Sequence, residues 1–358
     1  MALKIFNVKD FKVKYLHLFP NEKFTESYIS FINKHFNINE HLFLIFGEEV
    51  YYKFDSRKNV KKLSKNLKSL FLLIIKMNEC KKIILHGLFS KGIVILLFLQ
   101  PWLLKKSNWV IWGGDLYLYK YKNANFLSRC YEITRRFVIK NLGYLITYIE
   151  GDYKLTHLWY EAKGKWYYSI MYPSNLFKEY NFSSMKKDKM KKVIQIGNSA
   201  DPTNNHIEIF YKLRSLKSES IEIICPLSYG DLQYRDKVIK EGKSIFGNKF
   251  CPIIDFMSFE NYLEMLVKID IAIFNHKRQQ AMGNIITLLG LGKKVYIRED
   301  ITTWQFCISH ELKVFSSMRD FIELLDDISE DEKHQNVESI KKIFSEEELE
   351  ASWNLIFS

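Results

Sequence analysis

The apolar positions of this chain fall into short unbroken runs separated by amphipathic stretches, the alternation expected of a parallel α/β protein. In the first half, residues 42–46 end at Gly47, and residues 82–85 lead into His86-Gly87. A third run, 109–112, leads into Gly113-Gly114-Asp115. A helix is predicted over 128–142, stopped by Gly143, with a strand over 144–149 behind it. Residues 62–73 have helical spacing. The second half restarts with strands at 193–196, 221–224, 271–274 and 295–297, the last ending at Arg298-Glu299-Asp300. Helices are predicted over 231–246 and 258–267, and an apolar helix over 285–291, opened by Gly283 and stopped by Gly292. Asp201-Pro202 supplies an N-cap and a first-turn proline. The acidic stretch 326–358 reads as a helical tail.

Composition shifts at Asn181-Phe182-Ser183-Ser184 and the lysines that follow (186, 187, 189, 191 and 192). This divides the chain into a Rossmann-like domain over 1–180, a linker over 181–192, a second Rossmann-like domain over 193–330 and a tail over 331–358. Two such halves put ligands at the carboxyl ends of their strands, in a cleft between them. The 358 residues suffice for two domains, and 47% apolar content supplies both cores. The most apolar window, 83–104, is interrupted by His86, Lys91, Gln100 and Pro101. Its clean run, 92–99, falls short of the ~20 residues of a membrane span. It reads as a strand and a core helix, with Trp102, Lys105 and Lys106 as a weaker membrane-interface option. Residues 1–6 lack a signal-peptide core.

A net charge of +12 directs attention to anionic partners: nucleic acid, an anionic membrane surface or phosphorylated substrates. No zinc-finger spacing or RNA-binding aromatic motif accompanies it, so no nucleic-acid partner is expected. Five cysteines without a CxxC pair suit a reducing compartment.

The chemistry concentrates in four loops after predicted strands. The segment Phe274-Asn275-His276-Lys277-Arg278-Gln279-Gln280-Ala281-Met282-Gly283-Asn284 joins a strand to a helix N-terminus. Unpaired amides and the helix dipole there favour an anion. Arg278 adds a fork for phosphate oxygens, and Gln279 and Gln280 offer donors and acceptors to sugar hydroxyls. In the loop 197–206, Asn198 and Ser199 either hold diphosphate oxygens or only shape a turn. In the loop 111–117, Asp115 is either a general base or a helix cap. His86 is the rival base, or a structural histidine. A single displacement using either base would invert the reacting carbon. Tyr229 and Tyr234 either stack on a nucleobase or pack as ordinary aromatics, and His206 reads as helix surface. There is no Asp-x-Asp at a strand end, so no metal ligands and no cofactor are expected, and Arg278 with helix dipoles would carry the charge of a leaving diphosphate.

The loops also carry a resemblance. The motifs His86-Gly87-x-Phe89, Ile111-Trp112-Gly113-x-Asp115-Leu116-Tyr117, Gly197-Asn198-Ser199-x-Asp201, Asn204-x-His206 and Arg278-Gln279-Gln280-x-x-Gly283, with Trp304 after the last strand, occur in order over about 86–305. In these the chain resembles the family 56 glycosyltransferases, the TDP-4-acetamido-4,6-dideoxygalactose (TDP-Fuc4NAc) transferases of enterobacterial common antigen assembly. That family usually has Gly where Ala281 stands. The resemblance implies a GT-B fold, a TDP-sugar donor and a polyprenyl-diphosphate-linked acceptor. It implies a peripheral enzyme on the cytoplasmic face of the bacterial inner membrane, serving a surface polysaccharide. The first domain would take the acceptor, with Asp115 and His86 catalytic. The second would take the donor through Asn198, Ser199, Tyr229, Arg278, Gln279, Gln280, Gly283 and Asn284. A UDP- or GDP-sugar transferase, a basic nucleic-acid-binding protein and a non-catalytic membrane scaffold are the alternatives.

Overall fold

The computed structural model describes residues 13–48, 57–120, 125–179 and 191–358. The N-terminal stretch 1–6 and all of the expected linker but Lys191 and Lys192 lie outside the described residues. The chain forms two compact units, one ending at Leu176 and regaining Glu346–Ser358, the other spanning Phe177–Ser345.

The N-terminal unit runs β1 (Tyr15–Pro20), α1 (Thr25–His35), β2 (His41–Phe46), β3 (Val60–Lys62), α2 (Leu67–Glu79), β4 (Lys82–His86), α3 (Lys91–Leu99), β5 (Ser107–Val110), α4 (Gly114–Tyr117), α5 (Phe126–Asn141), β6 (Tyr144–Ile146), α6 (Glu150–Tyr160) and β7 (Lys165–Tyr167). Its strands pair in parallel in the order β3-β2-β1-β4-β5-β6-β7. Alternate strand residues such as Leu16, Leu44, Leu85 and Trp109 meet the inward faces of α2, α3 and α5, through Met77, Leu97 and Val138. The opposite face receives Tyr28 of α1 and the last helix of the chain. Strands with both faces covered are rich in apolar residues, which is why the runs 42–46, 83–85 and 109–110 within β2, β4 and β5 stood out in the sequence.

The C-terminal unit runs β8 (Lys192–Ile196), α7 (His206–Leu213), β9 (Ile221–Pro226), α8 (Leu232–Phe246), β10 (Phe250–Ile253), α9 (Phe259–Lys268), β11 (Ile271–Phe274), α10 (Met282–Gly290), β12 (Lys294–Ile297), α11 (Thr302–Ser309), β13 (Phe315–Ser316) and α12 (Glu330–Ile343). Its parallel sheet has the order β10-β9-β8-β11-β12-β13. β8 and β11 are neighbours although β9 and β10 lie between them in sequence. The order therefore reverses at β8, and ligands bind beyond the carboxyl ends of strands at such a point.

Some boundaries move for local reasons. The side chain of Asn66 accepts from Ser69 N and caps α2, so the helix expected over 62–73 begins at Leu67. Residues 60–62 pair with β2 instead. The expected opening at Asp201-Pro202 is a single short turn, and Asn205, in the left-handed region at φ 54°, separates it from α7. The tail expected over 331–358 is two helices. α12 packs on α10 in the C-terminal unit, whereas α13 (Glu346–Phe357) completes the N-terminal one.

Candidate functional site

The loops after β8 and β11 leave neighbouring strands and meet in one polar cluster. Gly197, at φ 67°, turns the chain out of β8, where a side chain would strike the His206 ring at 2.3 Å. The Asn198 amide N–H then donates to Asn204 Oδ1 (2.9 Å), and its side chain donates to the Tyr229 hydroxyl (3.1 Å). From the other loop, Gln280 Nε2 reaches Asn198 Oδ1 at 3.4 Å and Ser199 Oγ at 3.5 Å, while Gln280 Oε1 lies 2.9 Å from Thr203 Oγ1. Arg278 pairs with Asp201 (Nη2 to Oδ2, 3.1 Å). The Arg278 and Asn198 loops thus share one face of the C-terminal unit.

Charge is held in place here. Burial raises the pKa of the Asp201 carboxyl, but the Thr203 hydroxyl and amide and the Arg278 guanidinium outweigh it and hold the group below its usual value. Asp201 is therefore anionic and keeps Arg278 extended across the loop. Beneath the pair, burial pushes His206 and His276 down to about 3, so both are neutral. His276 Nε2 bonds Asn204 Oδ1 at 2.8 Å.

Beyond the cluster, α10 begins at Met282 rather than Gly283, after Ala281 in the left-handed region at φ 60°. Nothing lies within 4 Å of the place a Gly283 side chain would take. The first turn of α10, whose leading amides have no intrahelical partners and which carries the positive end of the dipole, thus has open space at Gly283. Asn284 bonds the Tyr262 hydroxyl, which also meets Gln195. Gln279 is buried, and its Oε1 has no hydrogen-bond partner among the described residues.

In the N-terminal unit, Asp115 is fully buried in the first turn of α4. Its Oδ2 accepts from Trp109 Nε1 (2.6 Å) and Leu88 N (2.9 Å), and its Oδ1 from Trp112 N and Leu116 N (both 3.0 Å). Burial still leaves its pKa raised. With all four bonds filled by donors of the protein, the carboxylate fastens the turn and offers no lone pair to a substrate hydroxyl. The N-cap of α4 is Gly113, without a side-chain cap bond, so Asp115 is not the cap of the alternative reading; from the first turn of α4 it ties together the segments after β4 and β5. His86 is also fully buried, with Nδ1 at 2.8 Å from the Tyr172 hydroxyl and Nε2 at 3.2 Å from His17 Nδ1. His17 continues to His41 (3.0 Å), and Trp112 Nε1 donates to Tyr172 at 2.7 Å. Burial drives His86 and His17 well below their usual pKa, so this is a neutral hydrogen-bonded chain rather than an accessible base.

Sequence reasoning missed Asp201, Thr203 and His276 as parts of the cluster, although all three stand inside the loops it selected. It also missed His17, His41 and Tyr172. Their partnership depends on β1 lying between β2 and β4, which no spacing reveals. His206, expected on a helix surface, is fully buried, because the first turn of α7 packs under the β8 loop; Tyr234 lies against it, with its hydroxyl accepting from His206 N at 3.1 Å. All five cysteines are free.

The model of the family described as 4-alpha-L-fucosyltransferase glycosyl transferase group 56 matches residues 32–354 of this chain. Among solved structures, a glycosyltransferase from Rickettsia africae is similar at 13% identity and TM-score 0.65, over 97% of this chain and 98% of that one. The sucrose-phosphate synthase of Thermosynechococcus elongatus is similar at 10% identity and TM-score 0.65, over 96% and 98%. The alpha,alpha-trehalose 6-phosphate synthase of Burkholderia multivorans is similar at 9% identity and TM-score 0.66, over 97% and 98%. At such identities the likeness speaks for the fold: two parallel-sheet α/β units of the GT-B class.

Proposed function

We propose, from the premise that this chain belongs to glycosyltransferase group 56, that it transfers a 4-acetamido-4,6-dideoxyhexose of the Fuc4NAc type. The chain is a nucleotide-sugar glycosyltransferase. The finer reading takes a TDP-sugar as donor and a polyprenyl-diphosphate-linked saccharide as acceptor, in surface polysaccharide synthesis. It places the enzyme peripherally on the cytoplasmic face of the bacterial inner membrane. No helix among the described residues is long and apolar enough to cross a membrane.

The observation that carries the reading is the convergence of Arg278, Gln280, Asn198 and Ser199 beside the open first turn of α10. A diphosphate lying over Gly283 would receive the α10 amides on one side and the Arg278 fork on the other. As the sugar leaves, charge builds on the diphosphate, and Arg278 and the dipole are already oriented to hold it. These groups come from the chain itself, which supports a metal-independent transfer. Asp201 aims Arg278 before the donor arrives. Gln279, Gln280 and Asn284 would read donor hydroxyls or the acetamido group, and the half-exposed Tyr229 ring would meet the base. Asp115 and His86 act here as positioning residues: they fix the Trp112 loop and Tyr172, and neither takes the proton directly.

Thermal unfolding with TDP, UDP or GDP tests this, alongside release of nucleoside diphosphate from a panel of nucleotide sugars. At a hundredfold excess over Kd, TDP should stabilise the protein by about 2.7 kcal/mol. Arg278→Ala should lose that shift and slow transfer by roughly 10²–10³-fold. Gly283→Val should stay folded, because its site is open, yet lose the TDP shift. An undiminished TDP shift in both variants would remove this site, and a preference for UDP or GDP would remove the TDP assignment.

A further inference from the structure

We propose that the outward faces of α2, α3 and α5 form one docking surface for an anionic lipid bilayer, which gives the peripheral membrane placement proposed above a specific surface. Each of these helices buries one stripe against the sheet and shows a second apolar stripe on its opposite side. On α2, Leu67, Phe71 and Ile75 stand four residues apart, and Phe71 is 64% exposed. On α3, Ile95, Phe98 and Leu99 are exposed, opposite the buried Ile93, Val94 and Leu97. On α5, Ile133 is 69% exposed, opposite the buried Arg135, Val138 and Ile139. An amphipathic helix needs one such stripe for its core, so a second stripe on three neighbours asks for an apolar partner.

The stripes are continuous. The Phe98 ring of α3 meets Phe137 of α5 edge to face at 5.3 Å. The Lys91 ammonium lies 5.4 Å from the Tyr131 ring centroid, across the same seam. At the other side, Asn78 of α2 bonds Gln100 (2.9 Å) and accepts from Trp102 Nε1 (2.9 Å). Trp102 is 64% exposed, with its indole N–H satisfied by the protein and its ring turned to solvent.

Charge selects the occupant. α2, α3, α5 and the turn 101–106 together carry nine Lys or Arg against two Glu, and with Arg135 and Lys76 buried, seven of the nine remain at the surface. Both Glu are already paired, Glu79 with Lys76 and Glu132 with Arg136. A second copy packed on this face would oppose like charges, whereas anionic headgroups neutralise them while acyl chains take the apolar stripes. A Trp flanked by Lys105 and Lys106 is the side-chain pair suited to the headgroup level.

Sedimentation of the full chain with vesicles tests the surface. Vesicles of phosphatidylethanolamine with about one third phosphatidylglycerol should bind it at least tenfold better than pure phosphatidylcholine vesicles, and salt should weaken the binding. The double variant Phe71→Glu/Ile133→Glu and the charge reversal Lys68→Glu/Lys105→Glu should each lose roughly tenfold or more in binding. All four positions are exposed, and an unchanged TDP thermal shift in each variant shows that the fold and the donor site are intact. Equal binding to both vesicle types, no binding, or variants that bind like wild type would overturn the proposal. So would a dimer in solution that the double variant converts to a monomer. Loss of the TDP shift in wild type, with vesicle binding as expected, would overturn the donor reading and leave this surface standing.

Discussion

Ala281 adopts φ 60° and ψ 22° immediately before α10, a conformation in which a Cβ crowds the backbone. The cost for a residue other than glycine is about 1–2 kcal/mol, and glycine returns part of that gain through its freer unfolded chain. Ala281→Gly should therefore be neutral to stabilising by up to ~1 kcal/mol, read as a higher denaturation midpoint. Ala281→Val should lose at least ~1 kcal/mol, because branching at Cβ worsens the same clash. A destabilised Gly variant would mean that the turn before α10 is not left-handed. The family resembled in the sequence usually has Gly at this place, and the backbone gives the reason. The strain sits at the mouth of the proposed diphosphate site, where the chain must turn sharply to aim the amides of α10 at a ligand. The Asp201–Arg278 pair works at the same scale, since it holds the fork extended before any ligand is present.

Among the elements, α13 shows how much of a unit can rest on one distant segment. Its Trp353 is fully buried, donates from Nε1 to Met171 O at 3.0 Å and lies 5.3 Å from the Tyr28 ring. Phe357 packs on His41 at 4.6 Å, and Lys82 Nζ bonds Ile356 O at 2.7 Å. Trp353→Ala should cost the N-terminal unit about 3–5 kcal/mol, seen as an earlier unfolding transition. The TDP-responsive transition of the C-terminal unit should keep its position, and a loss shared equally by both transitions would refute the assignment of α13 to one unit. The amino-acid pattern alone reads α12 and α13 as a single acidic tail. Only Phe344 and Ser345 separate them, with neither Gly nor Pro, and what parts them is that the N-terminal sheet has a face left to cover. Strands such as 42–46 and 271–274 were legible because both faces are covered and the run is apolar without a break. β1 was not, because His17 breaks its apolar run, and β7 and β13 are edge strands of three and two residues. The loops proposed to hold the donor were legible because Arg, Gln and Gly between a strand and an apolar helix have few structural uses. The partners that hold Arg278 and His86 were not, because they are set by strand order.

At the scale of the whole molecule, buried neutral histidines tie the stability of both units to pH. His17, His41 and His86 lie within the N-terminal unit, and His206 and His276 within the C-terminal one. Burial lowers the pKa of all five, with His41, His206 and His276 pushed down to about 3 against 6.5 for the free side chain. The unfolded chain therefore takes up protons as pH falls through 6.5, while the folded chain does not. Their contribution is complete above pH 6.5 and is lost progressively from there toward pH 3. At pH 5 each such histidine costs on the order of 2 kcal/mol relative to pH 8. Melting temperature should accordingly fall steeply between pH 7 and pH 5. A charge of +12 offers a competing cause, because added positive charge repels itself in the compact state. Salt separates the two. Self-repulsion across the surface is screened at about 0.5 M salt, whereas protonation of side chains in the unfolded chain persists. The acid slope should survive high salt and should flatten in His276→Asn, which removes one titrating group. A melting temperature that stays level from pH 7 to pH 5, or a slope that salt abolishes, would show that these rings are not the neutral core groups described above.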